Sequence, residues 1–234
     1  IMDRIEIKNE AKDIVREKFS EFWLRYFFVL TLSFAMSLLY RKIAVIFNHC
    51  YFSFQNECVL SNGSIINGGL SFFYSIITTF LTFGMYKIIL KLVRKKGTEF
   101  NDLFAYKKDF FKLFALSFIT ELLVSLGYVL IVPGIILQLC YAMIGFIYVD
   151  NNGKKSVIET MKSSRELMNG YKMDYFIFNI SFVGWFFLSA FTFGLALVYV
   201  IPYVYISQAL YYENLKKQKN TLKPIDNSKK NKYY

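Results

Sequence analysis

The sequence predicts an all-α, polytopic membrane protein with six transmembrane helices in three hairpins and amphipathic cytoplasmic helices. Of its 234 residues, 55% are hydrophobic, and the mean hydropathy is +0.35. Residues 175–212 contain no Asp, Glu, Lys or Arg, and residues 113–149 contain only one, Glu121. Uncharged stretches longer than about 18 residues are typical of membrane-spanning helices. A soluble fold of this length could not cover so much apolar side chain.

The first two spans are predicted at residues 22–40 and 65–90. Residues 1–21 are charged throughout and lack the apolar core and small-residue cleavage site of a signal peptide, so we expect none here. Arg41-Lys42 would end the first span at the outer surface. Residues 48–64 would form the one long outer loop, in which Cys50 and Cys58 could form a disulfide or remain free thiols.

The third and fourth spans are predicted at residues 113–132 and 135–150. One helix over residues 113–149 would be roughly 55 Å long, whereas one span of a bilayer core about 30 Å thick needs about 20 residues. Proline breaks a helix, and glycine accepts the backbone angles of a tight turn. Pro133-Gly134 is therefore predicted to be an outer turn between the two spans.

The last two spans are predicted at residues 173–190 and 194–213, with a turn near 189–194. Pro202 should kink the sixth span. Residues 1–213 would then form a single membrane domain. The Lys- and Asn-rich residues 214–234 are predicted to be a basic, disordered cytoplasmic tail.

Three charged segments have an apolar side: residues 2–20, 100–111 and 156–169. Ile7, Ala11 and Ile14 give the first its stripe, and Ser156 with Glu159 predicts a capping box at the start of the third. Asn169-Gly170 would end that helix. The segments could lie along the lipid headgroups or pack together as a cytoplasmic layer.

Basic residues are concentrated in four segments. Residues 1–22, 91–112, 150–172 and 214–234 together hold 24 of the 28 Lys and Arg residues. Because basic loops remain cytoplasmic, these segments and both termini are predicted on the cytoplasmic side of the cell membrane. The net charge of +11 therefore does not indicate binding to nucleic acid. The bias toward Lys, Ile, Asn, Phe and Tyr suggests a bacterium with an AT-rich genome.

Glu121 is the one acidic residue deep in a predicted span. Ser117 and Ser125 lie on the same helical face, and the other spans carry single polar residues: Gln138, Asn179 and Gln208. Such a group usually faces the bundle interior, because its ionised form costs at least about 2.5–3.5 kcal/mol at bilayer depth. These residues are a candidate intramembrane site, or Glu121 is protonated and simply joins helices by a hydrogen bond.

Catalytic chemistry is not indicated. His49 is the single histidine, so a Ser-His-Asp or HExxH arrangement lacks its base or ligand pair. Cys50, Cys58 and Cys140 lack the spacing of a metal site. We expect no enzyme activity, no metal and no cofactor.

The chain resembles a bacterial integral-membrane family known as domain of unknown function nine-seven-five. The resemblance covers about residues 1–217 and is most specific over 127–217. It is carried by Pro133-Gly134-Ile135, residues 163–170, Gly184-Trp185-Phe186, Gly194, Pro202-Tyr203 and Tyr211-Tyr212-Glu213. Gly69 stands where the family more often has Pro. The resemblance implies a multi-spanning bacterial membrane protein and no established reaction.

Two functions remain open from the sequence. The first is a non-enzymatic membrane component that binds or organises a lipid or protein partner, a second copy of the chain included. The alternative is a transporter or permeation path for a small or lipid-like substrate, which would use the intramembrane polar residues.

Overall fold

The computed structural model describes residues 3–49 and 63–222, and all regular structure in these two ranges is helical. Two short 3-10 helices, Phe100–Phe104 and Lys107–Asp109, lie between the second and third α-helices. Cys50 and Cys58 lie outside the described residues, so both alternatives, a disulfide or two free thiols, stay as predictions. The α-helices are α1 (Arg4–His49), α2 (Gly63–Val93), α3 (Phe110–Tyr128), α4 (Val132–Tyr141), α5 (Ile144–Asp150), α6 (Val157–Leu167), α7 (Lys172–Ile180), α8 (Val183–Phe191) and α9 (Leu197–Leu222).

Five helical stretches in the described part of the chain are long and apolar enough to cross a membrane. They overlap the first five predicted spans. The sixth predicted span, residues 194–213, lies mostly in α9, which is not among the five. The five stretches are Arg4–Leu39, Ser71–Val93, Phe100–Tyr128, Val132–Asp150 and Lys172–Phe191.

The first membrane-length apolar stretch ends at Leu39, just before Arg41-Lys42, but helix α1 itself continues to His49. Residues 41–49 contain no Gly or Pro that would end it. Its irregularity lies instead at Lys18, where φ is −111° and ψ is 20°. This kink separates the amphipathic beginning of α1 from its long apolar part.

Pro133-Gly134 is not the turn that the sequence predicted. The turn between α3 and α4 consists of residues 129–131, and Pro133 lies in the first turn of α4. Proline suits that position, because the first helical N–H groups have no intrahelical acceptor and its fixed φ matches the helix. Gly134 is buried and lets α4 approach α3, since a Cβ there would lie 2.7 Å from the Cα of Tyr128.

Two predicted spans each consist of two shorter helices. The fourth breaks between α4 and α5 at residues 142–143, and the fifth breaks between α7 and α8 at residues 181–182. At the second break, the Ser181 hydroxyl donates a hydrogen bond to the Phe178 carbonyl at 2.5 Å. Such local bonds compete with the regular helical pattern, a signal too weak to predict from sequence.

The amphipathic segments largely pack on the protein. Ile7, Ala11 and Ile14 are almost fully buried, as are Leu103 and Met168. The predicted capping box of α6 is confirmed: Glu159 N–H donates to Ser156 Oγ at 3.3 Å, and Ser156 N–H donates to the Glu159 carboxylate at 2.8 Å. Of the two alternatives, these contacts favour a packed layer, although the side chains of Phe111 and Ile158 remain exposed.

The start of the predicted disordered tail is helical. Helix α9 continues through residues 214–222, and Leu215 within this stretch is fully buried. Residues 223–234 lie outside the described part of the chain. The basic composition of this stretch did not predict a helix. Leu215 packs into the protein core, and the neighbouring lysines give the stretch its charge.

The buried core is built from the amphipathic part of α1, the second half of α2, α5, α7 and the middle of α9. Aromatic rings make up much of it: Phe146 stacks on Tyr212 with ring centroids 5.5 Å apart, and Phe182 meets Tyr203 edge-on at 5.3 Å. Large exposed apolar side chains lie elsewhere, mainly on the later part of α1, on α3 and on α8. The core is therefore centred where α2, α5 and α9 meet.

Replacing Gly134 with Ala should destabilise the protein by about 1–3 kcal/mol, because the added methyl overpacks the contact between α4 and Tyr128. The matched control is Gly184→Ala in α8, where a Cβ would meet nothing within 4 Å. That control should be neutral or stabilise by up to about 1 kcal/mol through helix propensity. Equal melting temperatures of the two variants in detergent would contradict the close contact.

Candidate functional site: a polar hub and an adjacent cleft

Residues 211–219 of α9 form the centre of a set of polar contacts, which we call the polar hub. Its members from other parts of the chain are Arg4 on α1, Arg94 after α2, Asp150 at the end of α5, and Asp174 on α7. The hub thus joins residues from the beginning, middle and end of the described chain. Each of the four basic segments contributes at least one residue to it.

Arg94 is the bridging cation of the hub. Its Nη2 lies 2.5 Å from Asp150 Oδ1 and 2.6 Å from Glu213 Oε1, and its Nε donates to Glu213 Oε1 at 2.8 Å. The other oxygen of Asp150 accepts a hydrogen bond from the Tyr212 hydroxyl at 2.9 Å and forms an ion pair with Lys216. Both carboxylates are therefore neutralised, and α2, α5 and α9 are held together.

A second chain of contacts runs through Tyr211. Its hydroxyl donates to Asp174 Oδ2 at 2.9 Å, and the other oxygen of Asp174 lies 3.4 Å from Arg4 Nε. The Tyr211 ring packs on Tyr175 with centroids 4.9 Å apart. These contacts fasten the start of α1 and the start of α7 to the same part of α9.

The ion pairs of the hub are partly shielded from water. The side chain of Arg94 is 30% exposed, whereas those of Asp150 and Glu213 are 11% and 18% exposed. Burial acts to lower the pKa of Arg94, but its hydrogen bonds with Asp150 and Glu213 outweigh that effect and raise it. Arg94 therefore stays charged, and removing it would leave both carboxylates without their shared cation.

A polar cleft of about 510 Å³ opens beside the hub, between α5, α6 and α9. Its walls combine Asp150, Tyr212 and Lys216 of the hub with polar side chains from residues 151–166 and from the end of α9. The latter are Asn151, Lys155, Ser163, Glu166, Lys219 and Asn220. The cleft is wide enough for a polar group of several heavy atoms.

Helix α6 forms one wall of the cleft, and its position is set locally. The Ser156–Glu159 capping box begins it, and the pKa of Glu159 is lowered because the Ser156 N–H donates to its carboxylate. The buried Ser164 hydroxyl donates to the carbonyl of Cys140 at 2.9 Å, which ties α6 to α4. At the other end, Lys219 donates to the carbonyls of Glu166 and Asn169 at 2.7 and 3.1 Å.

The three cleft lysines retain free donors. Lys155 donates to the Ser163 hydroxyl at 2.9 Å, Lys216 pairs with Asp150, and Lys219 caps the end of α6. An ammonium group has three N–H donors. Within the described residues, these bonds occupy four of nine donors and leave five for a ligand.

Glu121 does not lie in the interior of the described chain. Its side chain is exposed on α3, as is that of Ser125, while Ser117 is half-buried. Among the described residues Glu121 forms no hydrogen bond or ion pair. The expectation that this face of α3 points into the bundle is wrong for the single chain, because α3 buries Leu113 and Leu116 instead.

The remaining predicted polar residues occur as two separate pairs. Gln208 Nε2 donates to Asn179 Oδ1 at 3.2 Å, which joins α9 to α7. Gln138 accepts a hydrogen bond from the Tyr128 hydroxyl, which joins α4 to α3. The structure does not bring these pairs together with Glu121 into one site.

Metal ligation finds no support in residues 3–49 and 63–222, where no three His, Cys, Asp or Glu side chains lie close enough to hold an ion. Cys140 is a buried free cysteine whose neighbour across the helix contact is Ser164. The polar hub and its cleft are therefore the candidate site of the described chain.

One family model covers most of the chain. The profile of a family described as "Protein of unknown function (DUF975)" matches residues 2–137 and 128–219. The chain belongs to this family. Its matched range includes every residue of the hub, so the hub lies within the part of the chain that the family shares. No curated protein and no solved structure matches.

Sequence reasoning missed the hub, although one signal was present. Asp150 and Glu213 are the first charged residues after the two long apolar runs, and Asp174 directly precedes the second run. Charges that border different apolar runs should lie at a common boundary. Counting only the basic residues concealed these carboxylates.

Replacing Arg94 with Ala should destabilise the protein by about 1–3 kcal/mol, because Asp150 and Glu213 would lose their shared cation while partly shielded from water. The control is Lys96→Ala, which removes the same charge from an exposed side chain nearby. Thermal unfolding in detergent is the measurement. Arg94→Ala is also made in a chain that carries Asp150→Asn. An equal loss of stability in that background would contradict an energetic coupling between Arg94 and Asp150.

Proposed function

We propose that this protein is a multi-pass component of a bacterial cell membrane that binds anionic lipid headgroups in the cleft beside its polar hub and carries out no reaction. The observation that supports the proposal most directly is the cleft itself, with its five free ammonium donors beside the ends of apolar helices. Lys155, Lys216 and Lys219 are the residues that would hold the ligand.

The proposed topology has six membrane segments in three pairs, with α9 as the sixth and both termini in the cytoplasm. The polar hub supports a common side for the four basic segments, since Arg4, Arg94, Asp150 and Lys216 meet there. Basic segments on one side are retained in the cytoplasm. The cleft would then open at the inner surface, where anionic headgroups are found.

The charge balance of the site favours an anionic ligand. Asp150 and Glu213 are neutralised by Arg94 and Lys216, which leaves Lys155 and Lys219 opposite the single carboxylate of Glu166. These seven side chains together carry one excess positive charge. A phosphate group could accept hydrogen bonds from the free ammonium donors without displacing the hub pairs.

Transport is the weaker proposal. A permeation path needs polar groups in sequence across the bundle, whereas the Asn179–Gln208 and Tyr128–Gln138 pairs join different helices and Glu121 is exposed. Hydrogen bonds of this kind are suited to holding neighbouring helices together. They support a binding component rather than a path.

The orientation is tested with single cysteines in a chain that lacks Cys50, Cys58 and Cys140. Lys154→Cys in the exposed loop before α6 should not react with a membrane-impermeant maleimide in intact cells, and should react after permeabilisation. Asn56→Cys, in the polar segment between α1 and α2, should react in intact cells. Labelling of position 154 in intact cells would contradict the proposed topology, because it would place the loop before α6 outside the cell.

Ligand binding is tested by replacing Lys155 and Lys219 with Gln, which leaves the Lys216–Asp150 pair intact. Each basic residue near an anionic surface contributes about 1 kcal/mol, so the affinity for phosphatidylglycerol should fall by about 2 kcal/mol, roughly thirtyfold. The measurement is lipid titration of detergent-purified protein followed by native mass spectrometry, with phosphatidylcholine as the neutral lipid.

The matched control replaces Lys107 and Lys108 with Gln, since both side chains are exposed and lie outside the cleft. This variant loses the same charge and should retain its affinity for phosphatidylglycerol. An equal loss in both double variants would show only a general attraction between charges and would overturn the cleft as a specific site.

A further inference from the structure

Two turns between helices present large apolar side chains to the surroundings. The first is residues 129–132, the turn after α3 with the first residue of α4, and the second is residues 191–195, the last residue of α8 with most of the turn before α9; we call them the two tips. Their apolar side chains are between 62% and 99% exposed: Val129, Leu130, Ile131, Val132, Phe191, Phe193 and Leu195. Neither tip contains a charged residue.

The backbone angles make this composition unusual. Ile131 has a φ of 52° and a ψ of −67°, the region of the strained γ-turn, and Phe193 has a φ of 50°. Positive φ costs glycine least, so in water a turn with such angles normally carries Gly. Ile and Phe at these positions indicate that a favourable environment for the apolar side chain offsets the conformational cost of the positive φ.

The backbone donors of the first tip are satisfied by carbonyls of the tip itself and of the last turn of α3. The N–H groups of residues 129–132 donate to the carbonyls of Leu126, Gly127, Tyr128 and Leu130 at 3.3, 3.2, 3.0 and 2.6 Å. Pro133 follows and has no N–H to satisfy. A turn in water has no need of such complete pairing, because water can accept these bonds.

The second tip is paired in the same way. The N–H groups of residues 192–195 donate to the carbonyls of Leu188, Ala190, Ser189 and Thr192 at 3.1, 3.3, 2.8 and 3.0 Å. The N–H of Ala196 donates to the Thr192 hydroxyl at 3.1 Å. Inside hydrocarbon each backbone donor must find its acceptor within the protein, since an unpaired one costs several kcal/mol.

The helices leading to the tips are too short to carry them out of a bilayer. Leu130 lies 18 residues after Lys112 and 20 residues before Asp150, which as straight helix is about 27 and 30 Å. Phe193 lies 19 residues after Asp174 and 20 before Glu213. With these charges at one surface of a core about 30 Å thick, no residues are left for a turn in the water beyond.

We propose that both tips are inserted in the hydrocarbon of the bilayer, where their contacts are lipid acyl chains. The proposal rests on the membrane location given above and is independent of the cleft and its ligand. The two tips then anchor the α3–α4 and α8–α9 pairs from within the bilayer. The outer turns expected from the sequence at residues 133–134 and 189–194 would not reach external water.

Collision accessibility of nitroxide labels tests this proposal on the full chain. In the background without native cysteines, Leu130→Cys and Phe193→Cys are labelled separately and reconstituted in vesicles of phosphatidylethanolamine and phosphatidylglycerol. Relaxation by apolar oxygen and by a water-soluble nickel chelate is then compared. At both tips the ratio of oxygen to nickel accessibility should exceed that of a label at Lys154→Cys several-fold.

The two other outcomes overturn the proposal. High nickel accessibility at the tips would place them in water, and low accessibility to both reagents would mean that another protein, or a second copy of this chain, covers them. Val129→Cys and Leu195→Cys provide a second label site in each tip if either first variant loses its cooperative thermal unfolding. A reversed orientation would alter the maleimide results at positions 154 and 56 but leave the tip ratios unchanged, so the two proposals fail separately.

Discussion

The structure depends on the pairing of charges at the ends of its apolar helices. In the proposed membrane location, helices surrounded by lipid gain little from the hydrophobic effect when they associate, because lipid tails are as apolar as leucine. The specific contacts must come from elsewhere, and Arg94, Asp150 and Glu213 supply them for α2, α5 and α9. Arg4, Asp174 and Tyr211 do the same for α1 and α7. Aromatic packing, such as Phe146 on Tyr212, fills the space beside these pairs.

The candidate ligand site is a consequence of this pairing. Because Arg94 and Lys216 neutralise the carboxylates of the hub, the remaining lysines of α9 and of the loop before α6 have donors to spare. Helix α6 stays in place through its capping box and through Ser164, so the cleft wall does not depend on a ligand. The same helix that completes the core, α9, therefore also presents the proposed binding groups.

Irregular backbone in this chain is located where its polar groups can be satisfied. The break between α4 and α5 lies at the buried Met143, and the break between α7 and α8 lies at the buried Phe182. In the exposed turns, hydrogen bonds within the turn satisfy the backbone donors instead. This explains why Pro133 begins a helix instead of forming the turn: at that position its missing N–H removes a donor that would otherwise be unpaired.

The sequence alone determined the helical class, the approximate places of the apolar segments, the α6 capping box and the family resemblance. These follow from composition and from patterns within about 20 residues, where local hydrogen bonding and hydropathy dominate. Only the tertiary structure decided that the turn lies at residues 129–131, that residues 214–222 are helical, that Glu121 is exposed and that Asp150 and Glu213 share Arg94. Those outcomes depend on which distant side chains come within about 3 Å, and Arg94 lies more than 100 residues from Glu213 along the chain. Hydropathy carries no information on such pairings, because it treats each charge separately from its partner.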